Sequence, residues 1–232
     1  MRRIPTRTAL LISVGFIVLR WSIKVVSNVG SVDTIADRLG SVQQLALSAL
    51  ANGAFTVLAV TLLLYLSKET YLDIGFRKQN VLKRLGIGVA LGVLVFVLDT
   101  FVISPFVDAL LPKTSAQGID MSELFSNITD LPIWIAIAFL KGGFVEELWR
   151  IFALTRFERR FGKAGLVFAL IASSIVFGFG HLYQGTGAVI TNAIEGLLYA
   201  LVYLRKRSAW EAVFAHAMFD LIGVILGFVI YS

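Results

Sequence analysis

Seven apolar stretches, each close to the length of one membrane crossing, occupy most of this 232-residue chain. They run approximately Thr8 to Val26, Gln44 to Ser67, Leu85 to Val107, Pro132 to Leu154, Ala164 to Leu182, Ala188 to Leu204 and Ala209 to Ile230. A hydrocarbon core of roughly 30 Å takes about 20 helical residues to cross, and in lipid the backbone must satisfy its own hydrogen bonds. The expected fold is therefore all-α, a polytopic transmembrane helical bundle of about seven spans. Composition agrees: 57% of residues are hydrophobic and 16% charged, with a mean hydropathy of +0.83, whereas a soluble domain carries about a quarter charged residues.

The charges between these spans alternate. Lys and Arg collect on the cytoplasmic side of membrane proteins, so every second loop should be basic. Arg2, Arg3 and Arg7 precede the first span, and Lys68, Arg77, Lys78, Lys83 and Arg84 fill the second loop. Arg156, Arg159, Arg160 and Lys163 fill the fourth, and Arg205, Lys206 and Arg207 the sixth. The first loop has Asp33, Asp37 and Arg38, and the third has Asp108, Lys113, Asp120, Glu123 and Asp130. The expected topology has the N-terminus cytoplasmic and the C-terminus outside, in a bacterial inner (cell) membrane.

The net charge of +6 is thus topological and gives no reason to expect a nucleic-acid partner. The N-terminal segment starts basic, like a signal peptide, but has no small-residue cleavage site and continues through Arg20 and Lys24. It reads as a retained helix, with Arg20 and Lys24 snorkelling to the outer interface. No cysteine is present, so chemistry must come from carboxylate, imidazole or hydroxyl groups. The chain reads as a single membrane domain, 1–232, with N-terminal spans and an external loop in 1–131 and the polar motifs in 132–232. The external loop from Asp108 to Leu131 includes a short amphipathic segment at MSELFS, which would be either a surface cap or a substrate-facing lid.

Ionisable residues within apolar spans are costly and tend to be functional. They are few: Asp99, Lys141, Glu146, Glu147, Arg150, His181 at the end of the fifth span, Glu195, His216 and Asp220. His181 and His216 are the chain's two histidines. The i, i+4 spacings of Phe177 with His181 and of His216 with Asp220 place each pair on one helix face.

Paired glutamates followed by Arg150, then FGFGH at 177–181 and HAMFD at 216–220, in this order on successive late spans, resemble the CPBP family. That family contains the type II CAAX prenyl proteases and the bacterial Abi-like proteins linked to bacteriocin processing or immunity. The similarity covers roughly Phe139 to Ile230, with Trp210 ahead of His216 as in many members. One spacing departs from it. The family pattern is E-E-x-x-x-R, but EELWR leaves two residues between Glu147 and Arg150. At about 100° per residue, one position turns a side chain to another direction. Two registers stay open: Glu146 is the family's first, catalytic glutamate, or Val145 occupies that place and the base is lost. A π-bulge, which absorbs one residue of register, would reconcile the first.

By resemblance, Glu146 with His181 would activate a water, Glu147 would be the supporting carboxylate held by Arg150, and His216 with Asp220 would bind the oxyanion or orient the scissile carbonyl, with Phe177 beside them. An ionised Asp220 repels an oxyanion, so it would be protonated or would act by setting the tautomer of His216. Glu146, His181, His216 and Asp220 are also an acceptable zinc ligand set. The spacing does not require it, H-E-x-x-H is missing, and the resemblance implies a metal-independent glutamate mechanism without a cofactor.

Each group also has a plain structural account. The Glu pair with Arg150 would be a packing ion cluster, His181 an interfacial histidine, and His216 with Asp220 a local hydrogen-bonded pair. Asp99, Lys141 and Glu195 match no motif position, although Glu195 would still be able to line a cavity. Gly142 and Gly143 with FGFG suit close helix packing, and Ser173 and Ser174 suit back-bonding to their own helix. The function expected is an intramembrane peptidase acting on a membrane-associated protein or peptide within the lipid bilayer. The alternative is a non-catalytic scaffold or immunity-type protein retaining the fold. Which of Val145 and Glu146 faces the histidines separates them.

Overall fold

The computed structural model describes residues 6–29, 41–111 and 122–231. The charges expected at Asp33, Asp37, Arg38, Lys113 and Asp120 and much of the external loop lie outside the described residues. Every described element is helical: α1 Thr6–Val29, α2 Val42–Leu66, α3 Val81–Leu98, α4 Ser104–Leu110, α5 Ser122–Phe125, α6 Leu131–Ile137, α7 Glu147–Phe179, α8 Thr186–Lys206 and α9 Ala209–Tyr231. Two π-helical stretches join neighbours without a break, Asp99–Ile103 between α3 and α4 and Ala138–Glu146 between α6 and α7.

Among the described residues six helices are long and apolar enough to cross a membrane, and the chain is an integral membrane protein. One of the six, Ile128–Phe179, has 52 residues, which at about 1.5 Å per residue exceeds twice the hydrocarbon thickness. It contains a break. Gly162 has φ 66° and ψ −151°, a backbone region that is essentially glycine's alone. The rings of Phe157 and Phe168 lie 5.4 Å apart, although eleven residues of continuous helix would separate them by about 16 Å. Further out, the Arg150 guanidinium lies 4.5 Å over the Phe177 ring. The run therefore folds back at Gly162 into two antiparallel legs. The two legs correspond to the fourth and fifth sequence spans, so six helices and seven crossings describe the same chain.

Glycines bring the helices close. Gly88 and Gly92, spaced as small residues at membrane helix interfaces are, set α3 against α9: a Cβ at Gly88 would lie 2.8 Å from the Glu211 carbonyl, and one at Gly92 would strike the Ala215 carbonyl. Gly143 seats the longer π-stretch on α9, where a Cβ would come within 2.8 Å of the Val213 carbonyl. Gly178 seats the second leg of α7 on α8. The close packing expected of these glycines is what they provide. Ser173 and Ser174 both donate to the Leu170 carbonyl, at 3.3 and 2.8 Å, as back-bonding hydroxyls do.

Arg20 does not snorkel. Its guanidinium donates to Asn52 Oδ1 and Thr56 Oγ1, both at 2.8 Å, and lies 4.4 Å over the Trp149 ring. Polar groups on α2 and an aromatic face on α7 engage the cation, so α1 is tied to both. Lys24 also turns inward, with its ammonium 5.9 Å from the centre of the Phe177 ring.

Candidate active site

The paired glutamates sit where the π-stretch Ala138–Glu146 passes into α7. A π-helix bonds residue i to i+5, so it holds one residue more per turn than α. The π-stretch ends where the pair begins, and adjacent residues on a helix point about 100° apart, so the two carboxylates take different directions.

Glu147 goes into the protein. Its side chain is fully buried; it forms an ion pair with Arg150 and accepts a 2.8 Å hydrogen bond from Nδ1 of His216. Arg150, 3% exposed, is further covered by Phe177 and Tyr199. His216 stacks at 4.4 Å on Tyr199 and meets Phe177 edge-on at 5.5 Å. A carboxylate held by an arginine can only accept, so Nδ1 of His216 carries a hydrogen and Nε2 is left for other contacts. Nε2 lies 3.6 Å from Asp220 Oδ1, one turn along α9. The nitrogen's orientation is thus set by Glu147 from α7, and Asp220 adds only a longer contact.

Glu146 goes into a cavity. It lines a space of about 570 Å³ together with Lys141, His181, His216 and Asp220. Lys141, five residues earlier, has its ammonium 3.9 Å from Glu146 Oε1. Residues five apart diverge on an α-helix and align on a π-helix, so the same stretch that frees Glu146 also gives it a cation. Each carboxylate therefore has its own positive partner, Arg150 for Glu147 and Lys141 for Glu146. Val145 points elsewhere: it is 6% exposed, and Cγ2 is the atom a Cβ on Gly53 of α2 would meet at 3.2 Å. It lines a separate apolar groove of about 590 Å³ with Leu50, Gly53 and Phe144.

His181 lies in the turn after α7, where Nδ1 is 2.9 Å from the Phe177 carbonyl. The carbonyl accepts, so in the neutral ring the lone pair is on Nε2. That lone pair is the one able to take a proton.

Three residues without a motif position also line the cavity: Asp99, Lys141 and Glu195. Asp99 opens the shorter π-stretch and accepts from the Ser104 hydroxyl at 3.0 Å; Glu195 is 5% exposed on α8. No motif position fell to Asp99 and Lys141, and the fold puts both on the cavity wall. Their signal was present, since an ionisable residue inside an apolar span is by default a candidate for function. Leu124 and Phe125 of the MSELFS segment line the cavity too, with Phe125 4.9 Å from Trp134 and the Trp134 indole donating to the Leu124 carbonyl at 3.1 Å. Among the described residues no three His, Asp or Glu side chains converge as metal ligands do.

Comparison with known proteins bears on the same region. Residues 128–222 match the model of the family described as Type II CAAX prenyl endopeptidase Rce1-like. The chain is 28% identical over 99 residues to the Bacillus subtilis (strain 168) protein named "Putative membrane peptidase YdiL", a stretch covering 43% of this chain and 39% of that protein. The chain thus spans about two fifths of the length of this curated relative. No solved structure matches. The resemblance read from the paired glutamates, FGFGH and HAMFD is borne out over residues 128–222, which are similar to the Rce1-like type II CAAX prenyl endopeptidases.

Proposed function

We propose that the cavity is the active site of an intramembrane peptidase that hydrolyses a peptide bond of a membrane-associated polypeptide with a glutamate-activated water. The observation that carries this reading is the division of labour between adjacent carboxylates. Glu146 meets the cavity beside His181, and Glu147 is buried as a brace for His216. In this scheme Glu146, assisted by Nε2 of His181, removes a proton from water as the oxygen attacks the scissile carbonyl carbon. A carbon–oxygen bond forms and the carbonyl becomes an oxyanion. A protonated Asp220 carboxyl beside His216 supplies the donor that stabilises it, which removes the repulsion an ionised Asp220 would bring. When the carbon–nitrogen bond breaks, the proton taken from water passes to the leaving amine, so the water is consumed in full. The similarity to the Rce1-like family and to a protein named as a membrane peptidase supports the same class of reaction.

A non-catalytic scaffold would be the better reading if an apolar side chain stood at the cavity in place of the base, but Val145 packs on α2 instead. The test is purified full-length protein in proteoliposomes, assayed against a library of quenched fluorescent peptides with apolar flanks. Cleavage that is lost in both Glu146→Gln and His181→Ala, with both variants folded, supports the proposal. Cleavage undiminished in Glu146→Gln removes Glu146 as the base.

A further inference from the structure

The three basic loops, separated in sequence, form one surface. Arg156 and Arg159, before the Gly162 bend, both pair with Glu69 in the loop after α2. Arg207, between α8 and α9, holds Glu158 at 2.5 and 2.7 Å. Glu211, at the start of α9, takes Arg205 at 2.6 Å and Arg84 of α3 at 3.5 Å. These contacts put the α2–α3 loop, the Gly162 bend and the α8–α9 turn at the same end of the bundle. By the bias of Lys and Arg to short cytoplasmic connections, that end is cytoplasmic.

The cavity belongs to the other end. Asp220 is eleven residues along α9 from Ala209 and Glu195 eleven residues along α8 from Lys206, each about 16 Å from the basic surface and so near mid-membrane. From there the lining leads away from the basic loops: Ser48 and Asn52 in the first half of α2, the turn at His181, Tyr183 and Gln184, and Leu124 with Phe125 of α5. Ser48, Asn52 and Gln184 are exposed at its rim.

We infer that the cavity opens to the extracytoplasmic side and takes as substrate a polypeptide segment presented there, either an exported peptide or the outer-leaflet end of a membrane-inserted chain. The polypeptide nature of the substrate rests on the proposed peptidase function; the direction of opening rests on the loops and the cavity alone. A cytosolic tail could not reach Glu146 without crossing the bundle. Five cations of the basic surface, Arg84, Arg156, Arg159, Arg205 and Arg207, are engaged by Glu69, Glu158 and Glu211 and tie that end of the bundle together.

The chain has no cysteine, so single cysteines can report sidedness directly in the full-length protein. Gln184→Cys places a thiol at the rim and Lys78→Cys one at the basic end, and both are treated in intact cells with a membrane-impermeant maleimide, then after permeabilisation and in detergent. The inference predicts that Gln184→Cys labels to the same extent before and after permeabilisation, while Lys78→Cys labels only after it. The reverse pattern overturns it, as does equal labelling of both positions in intact cells. A Gln184→Cys thiol that labels only in detergent also overturns it, because the cavity would then be closed to outside water. Labelling does not depend on turnover. An outward-opening cavity in a protein that cleaves none of the library peptides would count against the peptidase reading and leave the sidedness standing.

Discussion

Glu147 and His216, 69 positions apart, share a 2.8 Å hydrogen bond in the buried centre of the bundle, with Arg150 paired to the same carboxylate oxygen. The link ties α7 to α9 and fixes which nitrogen of His216 is free. Glu147→Ala would leave Arg150 as an uncompensated buried cation, at a cost of about 3–5 kcal/mol. Thermal unfolding in detergent should show this loss. Replacing Glu147 and Arg150 together with apolar residues of similar volume should restore most of the stability without restoring activity. Restored activity would contradict the role given to the brace.

Lys141 and Glu146 behave differently, because both side chains reach the cavity, at 38% and 16% exposure. A partly exposed pair contributes at most about 1 kcal/mol. Lys141→Met should therefore unfold within that margin of the parent while losing activity, since Glu146 loses the cation that positions it. Lys141→Arg, which keeps the charge, should retain activity. An equal loss in both variants would point to side-chain shape in place of charge.

Gly142 has no room for a side chain. A Cβ there would strike the Asp220 carboxylate and lie 3.6 Å from His216 Nε2. The clash falls on the end of a flexible side chain, so Gly142→Ala should cost little stability but displace Asp220 from His216. Activity should fall more than the stability change explains, as measured by the initial rate at a temperature where the variant is fully folded.

Much of this was readable from the chain. Apolar length located the spans, because lipid leaves the backbone little choice, whereas the π-helical stretch Ala138–Glu146 precedes EELWR and does not itself account for the shorter spacing to Arg150. The reversal at Gly162 was implied by the basic loop around it, and the glycine's positive φ makes the turn. Asp99 and Lys141 were not placed at the cavity, and Glu195 only as able to line one, for a physical reason. Lys141 and Glu146 stand five apart, a spacing without meaning on an α-helix, and Asp99 and Glu195 reach the cavity on different helices. Only the tertiary fold brings them together. Arg20 was misjudged likewise, because Asn52, Thr56 and Trp149 come from two other segments.

The central claim is that Glu146 faces the water and Glu147 only braces His216, and Glu146→Gln tests it most directly. Its initial rate should be compared with that of the parent on a cleaved library peptide in proteoliposomes, alongside thermal unfolding of both proteins. Loss of a general base costs about 100- to 10,000-fold, so the account predicts a fall of that size with an unchanged unfolding temperature. A Glu146→Gln variant that cleaves at the parental rate would contradict it.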